Sequence, residues 1–271
     1  MSSIPQALSI AGSDNGGGAG VQADLKTFQE LGVYGMTVIT AIAAQNTTGV
    51  QGVFPIPYDG IAQQLDSTGE DFQPTAAKTG MLYSAEIIRL VAQKWRHYRW
   101  SNLVIDPVMV AKGGAPLLQQ EAVQALVTEL LPHALITTPN IPEAELLTGM
   151  SITNLNQREE AARQIVQMGS TYALVKGGHD EGSGMIVDVL YDGQSFHYLE
   201  NVRVVTRHTH GTGCTYSAAI TAELAKGSPV LAAVTTARAF IQAAIEDELG
   251  IGAGHGPTNH FAYQRRQRGE Q

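Results

Sequence analysis

The amino-acid sequence predicts an α/β fold, in which a mostly parallel sheet carries helices on both faces. Short apolar runs typical of buried strands alternate with longer amphipathic runs typical of helices. The segments between the apolar runs are long enough for strand–helix–strand crossovers. The 271 residues show no linker-like change of composition, internal repeat or charge run. We therefore expect residues 1–271 to form a single domain.

The elements of the first half follow from apolar runs and glycine breaks. Residues 7–11 (ALSIA) predict a buried strand that ends at Gly12-Ser13-Asp14. A glycine-rich loop at 16–20 then leads into a helix at about 20–31, whose apolar residues share one face. The same criteria predict a strand at 38–44, a strand with its loop at 76–82, a helix at 85–98, a strand at 103–105 and a helix at 119–131.

Proline and glycine mark the ends of elements in the second half. A strand at 134–138 is broken by Pro139-Asn140, and Asp192-Gly193 is typical of the turn of a β-hairpin. Gly227 and Pro229 separate the last two predicted helices. The remaining predicted elements are a helix at 157–168, a strand at 172–176 that ends at Gly177-Gly178-His179, and helices at about 214–226 and 230–247.

Composition excludes several classes of protein. The 17 Lys and Arg against 25 Asp and Glu give a net charge of −8 without a basic cluster, which argues against a nucleic-acid surface. One cysteine cannot form an internal disulfide, which favours a reducing, cytoplasmic setting. The start of the chain (MSSIPQ) lacks the pattern of a signal peptide, and no apolar run is long enough to span a membrane. The 29 glycines are an excess without a periodic repeat.

In parallel sheets ligands bind beyond the carboxyl ends of the strands, and this chain places polar residues and glycines there. The Gly12–Gly20 loop could bring backbone N–H groups close to an anion or a flat ligand, or it could be a plain tight turn. Asp24 lies on the following helix at the edge of its apolar face. It could accept a hydrogen bond from a ligand, or it could be a boundary charge.

Two further candidates follow later strands. Lys176 precedes Gly177-Gly178, where its charge suits a phosphate, although a solvated lysine explains the same position. Asn140 and Glu143 stand where a helix begins, so they predict an N-cap and a favourable dipole contact. The same pair also suits a site in which a carboxylate holds water on Mg²⁺.

The strongest local signal is His210-Gly211-Thr212-Gly213-Cys214, in which two glycines precede a helix of small residues. Free N–H groups and the helix dipole at such a place stabilise charge on a transferring phosphoryl group. Thiol pKa values are lowered at helix N-termini, which predicts a proton-accepting role for Cys214. A small buried hydrophobe is the alternative interpretation of a lone cysteine.

These segments, taken together, resemble the bacterial hydroxymethylpyrimidine/phosphomethylpyrimidine kinases of thiamine biosynthesis. The segments that carry the resemblance are AGSDNGGGAGVQADLKTFQELGVYG (11–35), TAIAAQNTTGV (40–50), KTGML (78–82), DPVM (106–109), TPNIPEAELL (138–147), VKGGH (175–179), HGTGCTYSAAI (210–220) and GHGPTNHF (254–261). The resemblance implies a three-layer αβα fold of the ribokinase-like superfamily. It also implies two ATP-dependent phosphorylations: one of 4-amino-5-hydroxymethyl-2-methylpyrimidine, and one of the resulting monophosphate, which gives the pyrophosphate.

The resemblance also implies roles for individual residues. Gln45 would hydrogen-bond the aminopyrimidine. Gly12, Asp24, Met81 and Val108 would line the same pocket. Asp106, Asn140 and Glu143 would lie near Mg²⁺ and the nucleotide phosphates, with Asp106 and Glu143 on the metal side. Lys176 would bridge phosphates, and Gly211, Thr212 and Gly213 would form the anion hole. Cys214 stands where the wider superfamily has an Asp base.

A kinase for pyridoxine, pyridoxal or pyridoxamine is the nearest rival, since its acceptors are also flat heteroaromatics with a hydroxymethyl group; a dual-specificity enzyme is a related possibility. A non-catalytic vitamin-binding protein would be expected to lack Lys176, Cys214 or the Gly211–Gly213 loop, which are all present. A sugar kinase is disfavoured by the pocket residues. A homodimer is expected from the resemblance, and the glycine-rich segment 111–116 is the candidate lid.

Overall fold

The computed structural model describes residues 4–109, 120–179 and 184–269, and the candidate lid at 111–116 lies outside them. The strands are β1 (Gln6–Asp14), β2 (Tyr34–Asn46), β3 (Gly49–Pro55), β4 (Ala76–Thr79), β5 (Leu103–Ile105), β6 (Ala134–Thr137), β7 (Tyr172–Val175), β8 (Met185–Tyr191) and β9 (Phe196–Val202). The helices are α1 (Gly20–Glu30), α2 (Tyr58–Asp71), α3 (Ala85–Tyr98), α4 (Gln120–Ala125), α5 (Ile141–Thr148), α6 (Leu155–Gln167), α7 (Thr212–Ala225), α8 (Val230–Glu246) and α9 (Ala262–Gln267).

The strands form one sheet in the order β3-β2-β1-β4-β5-β6-β7-β8-β9. Six adjacent strands, β2, β1, β4, β5, β6 and β7, pair with one another in parallel. β3 pairs antiparallel with β2 at one edge, and β8 and β9 add antiparallel pairs at the other. The predicted hairpin is β8–β9, whose turn contains Gly193 at φ 90°. The mostly parallel α/β sheet that the sequence predicts is confirmed.

Helices cover both faces of the sheet, because side chains alternate along each strand between two apolar layers. One face, with Leu8 and Ile105, packs against α2 to α6. The other face, with Ala7 and Val104, packs against α1, α7 and α8. The result is the three-layer αβα arrangement that the resemblance implies. No helix among the described residues is long and apolar enough to cross a membrane.

Three elements have little signal in the sequence. The strand β3 lies at an edge of the sheet, and most of its side chains are exposed, so it lacks the apolar alternation of a buried strand. The helix α2 buries only Ile61, Leu65 and Thr68 and contains two glycines. The helix α9 is a short terminal element. The predicted helix at 119–131 is α4 continued by a π-turn at Leu126–Leu130 and a 3₁₀ turn at Leu131–His133.

The order of the strands determines where a ligand site can form. From β1 the chain continues to β2 on one side, and β4 then pairs with β1 on its other side. Chain connections leave in opposite directions at this point, which opens a crevice beyond the carboxyl ends of the strands. β1 is longer than predicted. It continues past a bulge between Ala11 and Ser13 to Asp14, so the residues expected to end the strand are still paired with β2.

Candidate active site

Polar side chains replace apolar ones near the carboxyl ends of the parallel strands, on the face that packs against α1, α7 and α8. Apolar residues of this face lie two positions earlier on each strand, which by alternation places the polar side chains on the same side. The polar residues, from β1 across to β7, are Ser9, Lys78, Asp106, Thr138 and Lys176. They lie beside the N-terminus of α7.

At one end of this row is a fully buried ion pair. Lys78 Nζ lies 2.8 Å from Asp24 Oδ1, and both side chains have no solvent exposure. Ser9 Oγ donates to the other carboxylate oxygen at 2.5 Å. Burial alone would lower the pKa of Lys78, but the adjacent Asp24 carboxylate raises it, so the ammonium stays charged.

That Asp24 lines the substrate pocket stays a prediction, and this arrangement limits how its side chain could do so. Its side chain is enclosed and both oxygens are occupied, so it offers no free edge to a ligand in this conformation. Lys78 was missed as a site residue, because a lysine inside an apolar strand gives no sign of a partner 54 positions away.

The next ion pair in the row joins two predicted site residues. Lys176 Nζ lies 2.9 Å from Asp106 Oδ1, with the lysine 12% and the aspartate 3% exposed. Thr138 and Ser217 hydroxyls donate to the Asp106 carboxylate at 3.3 Å each. Burial alone would raise the pKa of Asp106, but Lys176 and Lys78 lower it. Lys176 is therefore a paired and largely buried lysine at the border of the crevice, not a solvated one.

Asn140 and Glu143 cap α5 as the sequence predicts. Glu143 N–H donates to Asn140 Oδ1 at 2.9 Å, and Asn140 N–H donates to Glu143 Oε2 at 2.8 Å, which forms a capping box. A backbone bridge joins Asn140 to Lys176. Burial raises the pKa of Glu143 to about 7, against the opposing effect of Lys176.

The glycine-rich loop is organised by Asp14, which sequence reasoning did not select. Its carboxylate accepts hydrogen bonds from the backbone N–H groups of Gly16, Gly18 and Ala19 at 2.8–3.0 Å. It also lies 2.9 Å from Nε2 of His210. Burial would raise the pKa of Asp14, but these hydrogen bonds and one from Gln45 hold it well below its usual range.

The loop and the start of α7 approach each other very closely. Gly211 has φ 81°, and a Cβ there would lie 1.7 Å from the carbonyl oxygen of Gly18. Only glycine fits such a position. The backbone at Gly211, Thr212 and Gly213 is partly exposed, and the first N–H groups of a helix have no intrahelical acceptor. A Cβ at Gly213 would lie 3.5 Å from Lys176 Nζ, so helix dipole and ammonium converge there.

Cys214 occupies the third position of α7, but its predicted low pKa is wrong. Burial raises the pKa of the thiol to about 11, and Asp24 and Asp106 add to this effect. Lys78 and a hydrogen bond from the backbone N–H of Gly20 oppose it. The helix dipole is visible in the sequence, whereas the two carboxylates and the desolvation arise only in the folded chain.

The predicted pocket residues gather around the end of β1. Gly12 lies against Met81, since a Cβ on Gly12 would lie 2.5 Å from Met81 Cε. Val108 is half-buried and follows Asp106, to whose carbonyl its N–H donates at 2.8 Å. Gln45 is half-buried, and its backbone N–H donates to Asn15 Oδ1 at 2.8 Å. The structure thus groups Gly12 with Met81 and ties Gln45 to the glycine-rich loop.

The segment 254–258 connects the two halves of the site. His210 N–H donates to Gly256 O at 3.0 Å, and Thr258 N–H donates to His210 O at 3.3 Å. His255 N–H donates to Thr47 O at 2.7 Å, in the turn between β2 and β3. The part of the sequence that reads GHGPTNHF therefore holds the segment just before α7 against the end of β2.

A third buried ion pair lies behind the turn that follows Lys176. Asp188 on β8 accepts a hydrogen bond from Gly177 N–H at 2.7 Å and from the Tyr216 hydroxyl at 3.2 Å. Arg238 Nε of α8 lies 3.1 Å from the same carboxylate. Asp188 therefore fixes the backbone beside Lys176 relative to α7. Sequence reasoning missed this residue, because β8 reads as an ordinary strand.

Comparison with known proteins identifies the family of this chain. The sequence profile of the phosphomethylpyrimidine kinase family matches residues 14–259, which is most of the chain. The chain belongs to this family. The matched span includes the row of charges, the glycine-rich loop and the start of α7. The resemblance inferred from the motifs is confirmed.

Members of the phosphomethylpyrimidine kinase family resemble the chain over nearly its whole length. A hydroxymethylpyrimidine/phosphomethylpyrimidine kinase of Bacillus subtilis is 52% identical over 263 residues, 97% of each chain. One of Haemophilus influenzae is 54% identical over 269 residues, 98% of this chain and all of the relative. An ADP complex of Bacillus subtilis pyridoxal kinase has a TM-score of 0.89 and 44% identity, covering 96% of this chain and 98% of the other.

Whether the site suits Mg²⁺ depends on its carboxylates. No group of three or more His, Cys, Asp or Glu that could enclose a metal ion occurs within the described ranges. Asp106 and Glu143 flank Lys176 and act electrostatically on each other. Two carboxylates without a closed cage fit an ion that keeps several waters and is otherwise held by phosphates, as Mg²⁺ commonly is.

Gly211→Ala tests the close approach of the two loops. We expect loss of most kinase activity and a fall of about 2–4 kcal/mol in the free energy of unfolding, because the Cβ would collide with the Gly18 carbonyl. Urea unfolding and a steady-state assay measure the two effects. Gly184→Ala is the matched control, since no atom of the described residues lies within 4 Å of its added Cβ. Equal behaviour of the two variants would contradict the prediction.

Asp14→Asn tests the role of the buried carboxylate through pH. The pKa of Asp14 is lower in the folded chain than its usual 3.8, so its stabilising effect is complete above that value. The effect is lost as pH falls toward the folded-state pKa. We expect the unfolding free energy to decline less steeply below about pH 5 in Asp14→Asn than in the wild type. Urea unfolding at several pH values measures this, with the exposed Asp71→Asn as control. Parallel declines in all three proteins would refute it.

Proposed function

We propose that this chain is an ATP-dependent kinase that phosphorylates 4-amino-5-hydroxymethyl-2-methylpyrimidine and then its monophosphate, giving the pyrophosphate for thiamine biosynthesis. The observation that carries the proposal is the meeting of Lys176 with the N-terminus of α7 at the crevice, 3.5 Å from a Cβ built on Gly213. Relatives 52–54% identical over nearly the whole chain are hydroxymethylpyrimidine/phosphomethylpyrimidine kinases. The pyridoxal kinase in the ADP complex supports nucleotide binding in this fold.

In this proposal the acceptor lies over the end of β1. Gly12 and Met81 would form the floor for a flat ring, because the missing side chain at position 12 lets Met81 pack over the backbone. Val108 completes the apolar wall, and the Gln45 amide would bond the aminopyrimidine after turning from Asp14. Asp24 would act on the pocket indirectly, by holding the Lys78 ammonium beneath it, and would not contact the acceptor.

The nucleotide phosphates would lie between Lys176 and the start of α7. The backbone N–H groups at Gly211, Thr212 and Gly213 would face charge that develops on the transferring phosphoryl group, and that of Thr212 would give up its bond to Thr209 O at 3.3 Å to do so. Lys176 would exchange its bond with Asp106 for one with a phosphate oxygen. Asn140 and Glu143 would lie near the nucleotide phosphates. When bound, Mg²⁺ supplies positive charge to the phosphates, and Asp106 and Glu143 would hold it, through water where needed.

The acceptor oxygen attacks the γ-phosphorus, and the bond between that phosphorus and the ADP oxygen breaks. In the first reaction the acceptor hydroxyl loses a proton, for which Cys214 is the proposed acceptor. Because burial raises the pKa of the thiol to about 11, it would act in the small fraction of molecules in which it has already lost its own proton to solvent. In the second reaction the acceptor is a phosphate monoester that is already largely ionised, so no base is needed. We further propose that residues 1–271 act as one domain and as a homodimer in the cytoplasm.

A pyridoxal kinase is the second candidate, alone or as a dual activity. The 44% identity with a pyridoxal kinase over 96% of this chain supports it. We expect ATP-dependent phosphorylation of hydroxymethylpyrimidine and its monophosphate with a higher kcat/KM than that of pyridoxal. Assays with the three acceptors side by side measure this. Activity on pyridoxal alone would overturn the proposed function in favour of the second candidate.

Cys214→Ala separates the two phosphorylations. We expect kcat/KM of the first reaction to fall about 10²-fold, because a general base typically contributes that much or more. The second reaction should change only a few-fold. Single-substrate assays at saturating ATP measure both, with Cys214→Ser as a control of similar shape. Equal losses in both reactions would show that Cys214 serves binding or packing instead.

A further inference from the structure

Asp188 is a buried carboxylate on β8 that bonds to three other parts of the chain. Its Oδ1 accepts a hydrogen bond from the backbone N–H of Gly177 at 2.7 Å. Its Oδ2 accepts one from the Tyr216 hydroxyl of α7 at 3.2 Å and lies 3.1 Å from Nε of Arg238 on α8. Both oxygens are therefore occupied, and the carboxylate offers no free edge to a ligand in this conformation.

The bond to Gly177 fixes the backbone from which the Lys176 side chain extends. The strands β7 and β8 pair antiparallel, and a Cβ on Gly177 would lie 2.2 Å from Val187 O, so the two backbones are in close contact there. Asp188 is the next residue of β8 and binds the Gly177 N–H at the same point. On the other side, Lys176 N–H donates to Pro139 O at 2.9 Å. The backbone at Lys176 is thus held from both sides.

Tyr216 connects the same carboxylate to the start of α7. It is buried, and it is the one large side chain in the first two turns of this helix. It follows Gly213 by three residues, so the two lie on the same side of the helix. A Cβ on Gly213 would lie 3.5 Å from Lys176 Nζ. Asp188 therefore bonds to both of the elements that meet at the crevice.

We propose that Asp188 and Tyr216 are positioning residues for the nucleotide phosphates, which together set the distance between Lys176 and the N-terminus of α7. The inference rests on the proposed function, in which both of these elements bind the phosphates. Neither positioning residue touches the nucleotide, because both side chains are buried and bonded to each other. Asp188 acts through the backbone at Gly177, and Tyr216 acts through the helix.

The chemistry of the buried ion pair supports a role in geometry. Asp188 and Arg238 are 3% and 8% exposed, so both charges have lost most of their water. Such a pair adds little stability compared with apolar side chains of the same volume. A carboxylate that is surrounded by a backbone N–H, a hydroxyl and a guanidinium does, however, fix their relative positions. Loss of one of these bonds would therefore shift Lys176 relative to α7.

Tyr216→Phe tests the inference with the least disturbance, because it keeps the ring and removes only the hydroxyl donor. We expect Kd for ADP to rise about tenfold, measured by calorimetry with Mg²⁺ on the full chain without an acceptor. In the kinase assay, kcat/KM for ATP should fall by a similar factor in both phosphorylations, because both use the same nucleotide site. KM for the acceptor at saturating ATP should stay unchanged.

Tyr98→Phe is the matched control, because the Tyr98 hydroxyl also donates to a carboxylate that a cation holds. Its acceptor is Asp66 of α2, which pairs with Lys94, on the face of the sheet opposite α7. This variant should leave Kd for ADP and both reactions unchanged. An unchanged Kd for ADP in Tyr216→Phe, an equal change in both variants, or a loss that falls equally on ATP and the acceptor overturns the inference.

Asp188→Asn provides a second measurement. It leaves the Arg238 guanidinium buried without its counter-ion, so we expect a larger rise in Kd for ADP than in Tyr216→Phe, again with KM for the acceptor unchanged. A Kd equal to that of the wild type overturns the inference. If Asp188→Asn does not fold, as judged by circular dichroism, Tyr216→Phe alone decides. Phosphorylation of pyridoxal in place of pyrimidines would refute the proposed function, but it would leave the ADP comparison intact, since that needs no acceptor.

Discussion

A parallel sheet covered by helices on both faces has one region where charged side chains can meet a ligand, which is the carboxyl ends of its strands. In this protein that constraint places acids and bases side by side in a region that is nearly dry. A lone charge there would be costly, so each one is held by an opposite neighbour. The alternation of Asp24, Lys78, Asp106 and Lys176 follows from this requirement. Only the lysine nearest the crevice is free to exchange partners.

The sequence predicts most of the fold, because buried strands and amphipathic helices leave periodic signals. Helix 85–98 and strand 103–105 match α3 and β5 residue for residue. The edge strand β3 and the glycine-containing helix α2 bury too little apolar surface to leave such a signal. Loops rich in glycine and the start of α7 were also predicted, since glycines beside a helix have a direct meaning for anion binding.

What the sequence could not supply is the pairing of distant charges. Asp14 reads as the last residue of a turn, and its partner His210 lies 196 positions away. Lys78 reads as part of an apolar strand. The wrong pKa expectation for Cys214 has the same origin. A helix N-terminus is visible in sequence, but the carboxylates and desolvation that outweigh it arise only from tertiary packing.

The bracing of the site by residues 254–258 has a consequence for how the protein is made. The glycine-rich loop leaves the ribosome early. His210 and residues 254–258, which bond to Thr47 and His210, emerge only after most of the sheet. Chains fold during synthesis from the N-terminal side. β1 and its neighbouring strands can therefore pair before the loop at Gly211–Gly213 has been synthesised. A nascent chain stalled before residue 254 would contain the strands of the sheet. It would lack residues 254–258, which hold the start of α7 against the end of β2.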